Sequence, residues 1–219
     1  MSEWFDYALS DFLLFSPETY WRLFEQMNTA FWPLPIALPG VLAIITLLVM
    51  KYPSRVRYIF AAALAACWAI VGHVFLGTYY ADINWTIDRV VPFVWVQVAL
   101  LIVLAPGLRF DRTSRRPWLA HGLLALAFAY PAVGLVAGRP ISQAEVVGLA
   151  PDPTAMLTIA LTALSGSGWR VIVLSVLPIG WLLISAITLL AMDEPTAWML
   201  LLTLLAAGLA LLRNPGSQR

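Results

Sequence analysis

The feature that most constrains this chain is a succession of apolar stretches, each close to the length of a helix that crosses a lipid bilayer. A spanning helix needs about 20 mostly apolar residues. The fifth stretch is the weakest, since its strictly apolar part, AMLTIALTAL, is short. The stretches lie at residues 33–50, 57–79, 90–107, 118–137, 153–169, 171–191 and 195–212. They predict an all-α, polytopic transmembrane helix bundle of about seven spans.

The composition agrees with this prediction. Hydrophobic residues make up 61% of the chain and charged residues only 11%, whereas a soluble domain carries about 25% charged residues. We therefore expect the lipid bilayer to be the main solvent of the protein. The net charge of +1 gives no reason to expect nucleic acid as a partner. The single cysteine, Cys67, excludes a disulfide framework and a cysteine metal cluster.

The basic residues predict the orientation of the spans. With seven spans and the N-terminus outside, all but three of the 13 Lys and Arg residues fall in cytoplasmic segments, as the positive-inside rule requires. The exceptions are Arg22, Arg89 and Arg139. Without the fifth span, the arginines beyond residue 169 would move outside and the asymmetry would weaken. The sequence thus favours an external N-terminus and a cytoplasmic C-terminus.

The acidic residues are distributed in the opposite way. Of the 12 Asp and Glu residues, all but Asp111 fall on the predicted outer side. One interpretation is an ordinary solvated surface that avoids lysine. The other is an acidic entrance on the outer side, whose summed electrostatic field attracts cations.

The segment before the first span, SPETYWRLFEQMNTAFW, has the pattern of an amphipathic helix. Ser16 can cap this helix, and Pro17 suits its first position. We expect residues 1–32 to lie on the outer membrane surface as an interfacial segment, packed on the ends of the spans. The bundle then covers 33–212, and 213–219 form a cytoplasmic tail. One helical stripe collects the apolar side chains of Tyr20, Leu23, Phe24, Met27 and Phe31.

A histidine and the loop that follows it form the first candidate site. His73 lies in the outer part of the second stretch, and a polar group in the membrane is expected to face the bundle interior and find a partner there. The loop carries Asp82, Asn84 and Trp85, and such side chains could bind a cation or a polar solute. Their spacing is not a recognised metal-ligand pattern, however, and a turn with an interfacial tryptophan also explains them.

The second candidate is Asp152, in the sequence PDPT. Asp152 has the identity of a helix N-cap, and Pro153 that of the first helical residue. A cap does not require Pro151, which restricts Ala150 to extended geometry and so fixes how the aspartate is presented. The following stretch is short, so its outer end is expected below the membrane surface. Capping and a role in a site both remain open, and they are compatible.

No recognised catalytic motif is present, so the sequence favours a protein without enzymatic activity and leaves an enzyme open as the weaker alternative. The only lysine, Lys51, falls in a cytoplasmic loop, which excludes a retinal Schiff base within a span. HExxH, Walker A and GxGxxG patterns do not occur. Between their ends the predicted spans contain no Asp, Glu, Lys or Arg, which counts against an ion-coupled pump. The sequence identifies no cofactor.

Several motifs together resemble a family of bacterial multi-pass inner-membrane proteins known only as a domain of unknown function. They are DFLLFSPETYWRLFEQMN with FWP, INW after a histidine-bearing helix, and PDPT before a short span. The resemblance runs over most of the chain and implies a location in the bacterial cytoplasmic membrane. It implies no activity. The family pattern has a proline where this chain has Asp82, which makes Asp82 a poorer candidate for a shared role.

These motifs all fall at the outer ends of the spans, although they come from distant parts of the chain. We therefore predict one outward-facing polar pocket beneath the surface helix. Its candidate residues are Asp11, Asn28, His73, Asn84 and Asp152.

Three functions fit this pattern. The first is a small permease, channel or binding subunit that takes a small solute or cation from the outer face. The second is a non-catalytic accessory or scaffold subunit of a larger membrane complex, with other membrane subunits or further copies of this chain as partners. The weakest is an enzyme that acts on lipid, because no nucleophile–base pair is visible.

Overall fold

The computed structural model describes residues 13–110, 117–165 and 168–211, and within these ranges it contains helices and no β-strand. A π-helix, Val71–Tyr80, continues α3, and short 3-10 turns lie at Trp85–Arg89, Ala105–Gly107 and Ile141–Gln143. The α-helices are α1 Pro17–Ala30, α2 Leu34–Lys51, α3 Pro53–Ile70, α4 Val91–Leu104, α5 Pro117–Val136, α6 Pro151–Leu164, α7 Trp169–Ala191 and α8 Thr196–Leu211.

Four helices are long and apolar enough to cross a membrane: α2, α3 with its π-helix, α5 and α7. The helix Val91–Gly107 and α8 are also apolar but shorter. Large apolar side chains point away from the bundle, and Ile36, Val103 and Ile172 are each more than 60% exposed. This surface is expected of a protein that has lipid as its solvent. The all-α bundle is confirmed, whereas the number of spans, about seven, stays a prediction.

The N-terminal helix begins as its sequence predicts. The Ser16 hydroxyl accepts a hydrogen bond from the backbone N–H of Thr19 over 3.3 Å, and Pro17 is the first helical residue. The apolar stripe of α1 packs on protein: the rings of Phe24 and Phe75 stack at 4.8 Å between centroids. Helix α1 therefore lies across the end of the bundle at which the π-helix finishes.

Helix α6 is the centre of the bundle. Every residue from 144 to 165, a run of 22, is buried, and α6 contacts α3, α5, α7 and α8. Its 14 residues make a helix about 21 Å long, shorter than the hydrocarbon core of about 30 Å. The fifth apolar stretch of the sequence is thus a short helix enclosed by protein, and its surroundings supply the contacts that lipid would supply to a span.

An irregular segment leads into α6 and is as buried as the helix. Gly148 has a positive φ of 93°, and its N–H donates to the Thr154 hydroxyl over 2.8 Å. A Cβ at residue 148 would lie 2.7 Å from Cδ2 of Leu38. Only glycine fits this position, since other residues rarely adopt such a φ and the neighbouring helix leaves no room. Non-helical backbone at membrane depth is tolerated where protein encloses it in this way.

Hydroxyl groups along α6 join it to its neighbours. Thr158 accepts a hydrogen bond from the Trp68 indole of α3 over 2.9 Å. The Thr162 and Ser175 hydroxyls lie 2.8 Å apart and link α6 to α7. These groups serve as contacts between helices, which is a common use of polar side chains in membrane bundles.

Candidate functional site

Asp152 does not cap its helix. Helix α6 begins two residues earlier than predicted, at Pro151 instead of Pro153, and the residue before it, Ala150, makes no side-chain cap hydrogen bond. Asp152 therefore stands inside the first turn, and its side chain points to α5 and α7. The cap interpretation is wrong because the sequence PDPT places the helix start at its first proline.

The carboxylate of Asp152 is instead the acceptor of a buried network. Its Oδ1 accepts the indole N–H of Trp181 over 2.7 Å. Its Oδ2 accepts the hydroxyls of Ser185 over 2.7 Å and Tyr130 over 3.4 Å. The side chain is 1% exposed. Both oxygens thus have neutral donors, and the first turn of α6 adds the favourable end of a helix dipole.

The network lies well below the end of the bundle. Ser185 precedes the end of α7 at Ala191 by six residues, and Tyr130 precedes the end of α5 at Val136 by six. At a rise of about 1.5 Å per residue, these hydroxyls are about 9 Å inside the helix ends. The short α6 therefore presents its aspartate at a depth where an ionised group needs partners.

A second carboxylate, Glu145, lies in the segment between α5 and α6, outside the four membrane-length helices. It is 4% exposed, and its Oε2 lies 3.7 Å from Nη1 of Arg139. This ion pair is longer than a hydrogen bond. Burial and the nearby charge of Asp152 raise the pKa of Glu145 well above its ordinary value, and Arg139 opposes part of the rise. We call Arg139, Glu145 and Asp152 the carboxylate cluster.

Helix α1 covers the carboxylate cluster. The Arg139 guanidinium lies 3.4 Å from the centroid of the Trp21 ring, a cation–π contact. The Trp21 indole N–H donates to Oε1 of Glu194 over 2.8 Å, in the link between α7 and α8. Arg139 is nearly enclosed, with a side chain 10% exposed, and its Nε and Nη1 atoms are buried without a hydrogen-bond partner.

Two of the predicted pocket residues belong to this region. Asp152 is part of the cluster, and Asn28 on α1 holds the segment that enters it. The Asn28 side-chain amide donates to the carbonyls of Ser142 over 2.9 Å and Ala144 over 2.8 Å, immediately before Glu145. Asn28 thus ties α1 to the buried segment, and its Oδ1 atom is buried without a partner.

The structure does not bring the other candidates into the cluster. His73 is exposed, because the π-helix buries Gly72 and Phe75 on its opposite side; the expectation that this histidine faces the interior is wrong. Asn84 caps the 3-10 turn Trp85–Arg89 by accepting the N–H of Thr86 over 3.1 Å. Asp11 lies outside the described residues. No group of three or more His, Cys, Asp or Glu suited to a metal occurs in the described part of the chain.

Sequence reasoning missed Glu145 and Arg139. It assigned both to an ordinary outer loop, yet the sequence contains a signal. Glu145 lies in AEVVGLAP, which is apolar apart from this glutamate although it connects two helices. A solvated loop would be polar, so a lone acid in an apolar connection indicates buried backbone. Arg139 is also one of only three basic residues predicted on the acidic side.

A family model of unknown function, DUF6064, matches residues 17–218. The chain belongs to the DUF6064 family. The matched region runs from the first residue of α1 to beyond α8, so the whole carboxylate cluster and the helix that covers it lie within the DUF6064 domain. The resemblance to a family of unknown function is thereby confirmed. Comparisons with curated proteins and with solved structures found no match to this chain.

Proposed function

We propose that this DUF6064 protein is a small membrane permease, channel or binding subunit that takes a small cation from the side on which α1 lies. The carboxylate cluster is the proposed binding site. One observation carries the proposal: Glu145 and Asp152 are two buried carboxylates that interact electrostatically, and the nearly enclosed Arg139, which pairs with Glu145, acts on both.

The charges of the cluster do not balance. Two ionised carboxylates and one guanidinium leave one negative charge in a site with almost no solvent. An unpaired buried charge is costly, and such groups bind a counter-ion or become neutral instead. One additional positive charge, from a cation taken up at the site, offsets the imbalance.

The charge distribution of the bundle supports entry from the α1 side. This end carries exposed Asp82, Asp88 and Asp193, whereas basic residues concentrate at the opposite ends of the helices. An acidic mouth raises the local concentration of cations. By the positive-inside rule, the proposal places the α1 side outside and the C-terminus in the cytoplasm, in the inner membrane that the sequence motifs imply for a bacterial protein.

A second candidate function is a scaffold subunit of a membrane complex. Helix α2 favours it, because only 17% of its most apolar window is buried, which leaves a long apolar face for lipid or for another subunit. The complete hydrogen bonding of Asp152 also agrees with a purely structural role.

Reconstitution into liposomes separates the two candidates. Uptake of protons, Na⁺ and K⁺ would be followed with a pH-sensitive dye and with isotopes, for the parent protein, Asp152→Asn and Glu145→Gln. Asp88→Asn is the matched control, since Asp88 is exposed at the same end. We expect binding or flux of one cation in the parent and the control, and its loss in both cluster variants. Equal behaviour of all four proteins, together with a stable partner chain on purification, would favour the scaffold.

A further inference from the structure

We infer that the cation taken by the carboxylate cluster is a proton, and that Glu145 carries it while Asp152 stays ionised. This inference rests on the proposed function and names its ligand. On binding, an O–H bond forms between a Glu145 carboxylate oxygen and a proton from the aqueous phase on the α1 side; on release the same bond breaks. No other covalent bond changes.

The surroundings of Asp152 offer few free oxygen ligands to a metal cation. Hard cations such as Ca²⁺ and Mg²⁺ take about six oxygen ligands. Both oxygens of Asp152 already accept hydrogen bonds. One of the two shortest comes from the indole N–H of Trp181, which cannot serve as a metal ligand. The Arg139 guanidinium repels a second cation at the same place. A proton needs only one free oxygen.

The hydrogen bonds distinguish the two acids. Three donors stabilise the charged form of Asp152. The ion pair of Glu145 with Arg139, at 3.7 Å, is too long for a hydrogen bond, and Nη1 of Arg139 has no hydrogen-bond partner. Hydrogen bonds to a carboxylate favour its charged form. Asp152 is therefore the better anion of the pair, and Glu145 the better acid.

The groups that face Glu145 from each packed element support this assignment. Asp152 on α6 and Glu194 in the link between α7 and α8 add negative charge. Among the described residues, the positive charge comes from Arg139 in its own segment. Tyr20 on α1 and Tyr130 on α5 lie within reach of its charge and are neutral when protonated. The balance of charge around Glu145 favours a bound proton.

Infrared spectroscopy tests the inference directly. A protonated carboxyl has a C=O stretch separate from the carboxylate bands. In protein held in lipid nanodiscs, we would titrate this band from about pH 4 to about pH 10, a range that starts near the ordinary pKa of glutamate and extends above it. We expect a band in the parent and in the control Asp88→Asn. In Asp152→Asn the band should titrate at lower pH, because the neighbouring negative charge that favours the proton is gone. It should be lost in Glu145→Gln. Labelling with ¹³C-glutamate should shift the band in the unaltered protein, which removes any dependence on the folding of a variant.

Other outcomes would overturn the inference. A band that persists unchanged in Glu145→Gln, or that ¹³C-glutamate does not shift, would assign the proton to another group. Carboxylate bands that respond to Na⁺ or K⁺ without an acid band would make the ligand a metal cation and leave the proposed function standing. If the liposomes show no cation binding or flux, the proposed function fails, whatever the infrared result.

Discussion

The side-chain amide of Gln97 on α4 donates to the backbone carbonyl of Leu174 on α7 over 3.0 Å. In its own helix this carbonyl has no donor, because the residue four positions later is Pro178, which lacks an N–H. An unsatisfied carbonyl in a buried, apolar setting is costly. Gln97, which is completely buried, thus satisfies the hydrogen-bonding deficit that the proline creates.

We expect Gln97→Leu to lower the free energy of unfolding by about 1–3 kcal/mol, the cost of an unsatisfied buried group. Thermal unfolding can be followed with a thiol-reactive fluorophore, since the one cysteine, Cys67, is 1% exposed in the folded protein. The matched background is Pro178→Ala, which restores the missing N–H. In the Pro178→Ala protein, Gln97→Leu should lower the free energy of unfolding by less. An equal decrease in both proteins would exclude the unsatisfied Leu174 carbonyl as its cause.

Asp152→Ala should destabilise the protein more than Trp181→Phe. The alanine leaves the Trp181 indole and the Ser185 hydroxyl without their acceptor, at about 1–3 kcal/mol for each unpaired group, whereas the phenylalanine removes one donor from a carboxylate that keeps two others. Unfolding temperatures of the single and double variants measure the coupling. Additive effects would show that the indole and the carboxylate do not interact energetically.

Gly148→Ala should destabilise the protein more than Gly138→Ala. Both glycines have a positive φ, 93° and 82°, so both substitutions incur the backbone strain of about 1–2 kcal/mol. Only at residue 148 does the new Cβ meet a neighbour, Leu38, at 2.7 Å, whereas nothing lies within 4 Å at residue 138. The difference between the unfolding temperatures of the two variants measures the packing cost. Equal decreases in unfolding temperature would contradict the tight contact between residue 148 and Leu38 of α2.

The free energy of unfolding should fall as the pH rises above the ordinary carboxyl value of 4.5. The folded protein raises the pKa of Glu145, so it holds a proton that the unfolded chain releases. The stabilisation is complete below the unfolded value and is lost as the pH rises toward the folded one. Glu145→Gln should flatten this part of the stability curve. An unchanged slope in that variant would assign the pH dependence to another group.

The sequence predicted those features that depend on neighbours in the chain. The cap at Ser16, the stripe through Phe24 and the positions of the apolar helices follow from local pattern, and all three are confirmed. The prediction that the outer end of the fifth stretch lies below the membrane surface stays a prediction.

The candidate site was only partly predictable, because its contacts are distant in sequence. Asp152 has local neighbours identical to those of an N-cap, whereas the donors that decide its role are Tyr130, Trp181 and Ser185, which are 22, 29 and 33 residues away. The exposed position of His73 depends on which side of the π-helix packs on the bundle. No spacing rule for an ordinary α-helix contains that information.

The enclosure of α6 has a consequence for the order in which the protein is assembled. A nascent helix that emerges from the ribosome can settle in lipid only if lipid can satisfy its surface. The helices that surround α6 include α7 and α8, and both are synthesised after it. Asp152 therefore waits for Trp181 and Ser185, and Thr162 for Ser175, until α7 has been made. The enclosure of α6 is accordingly complete only after α8 has been made.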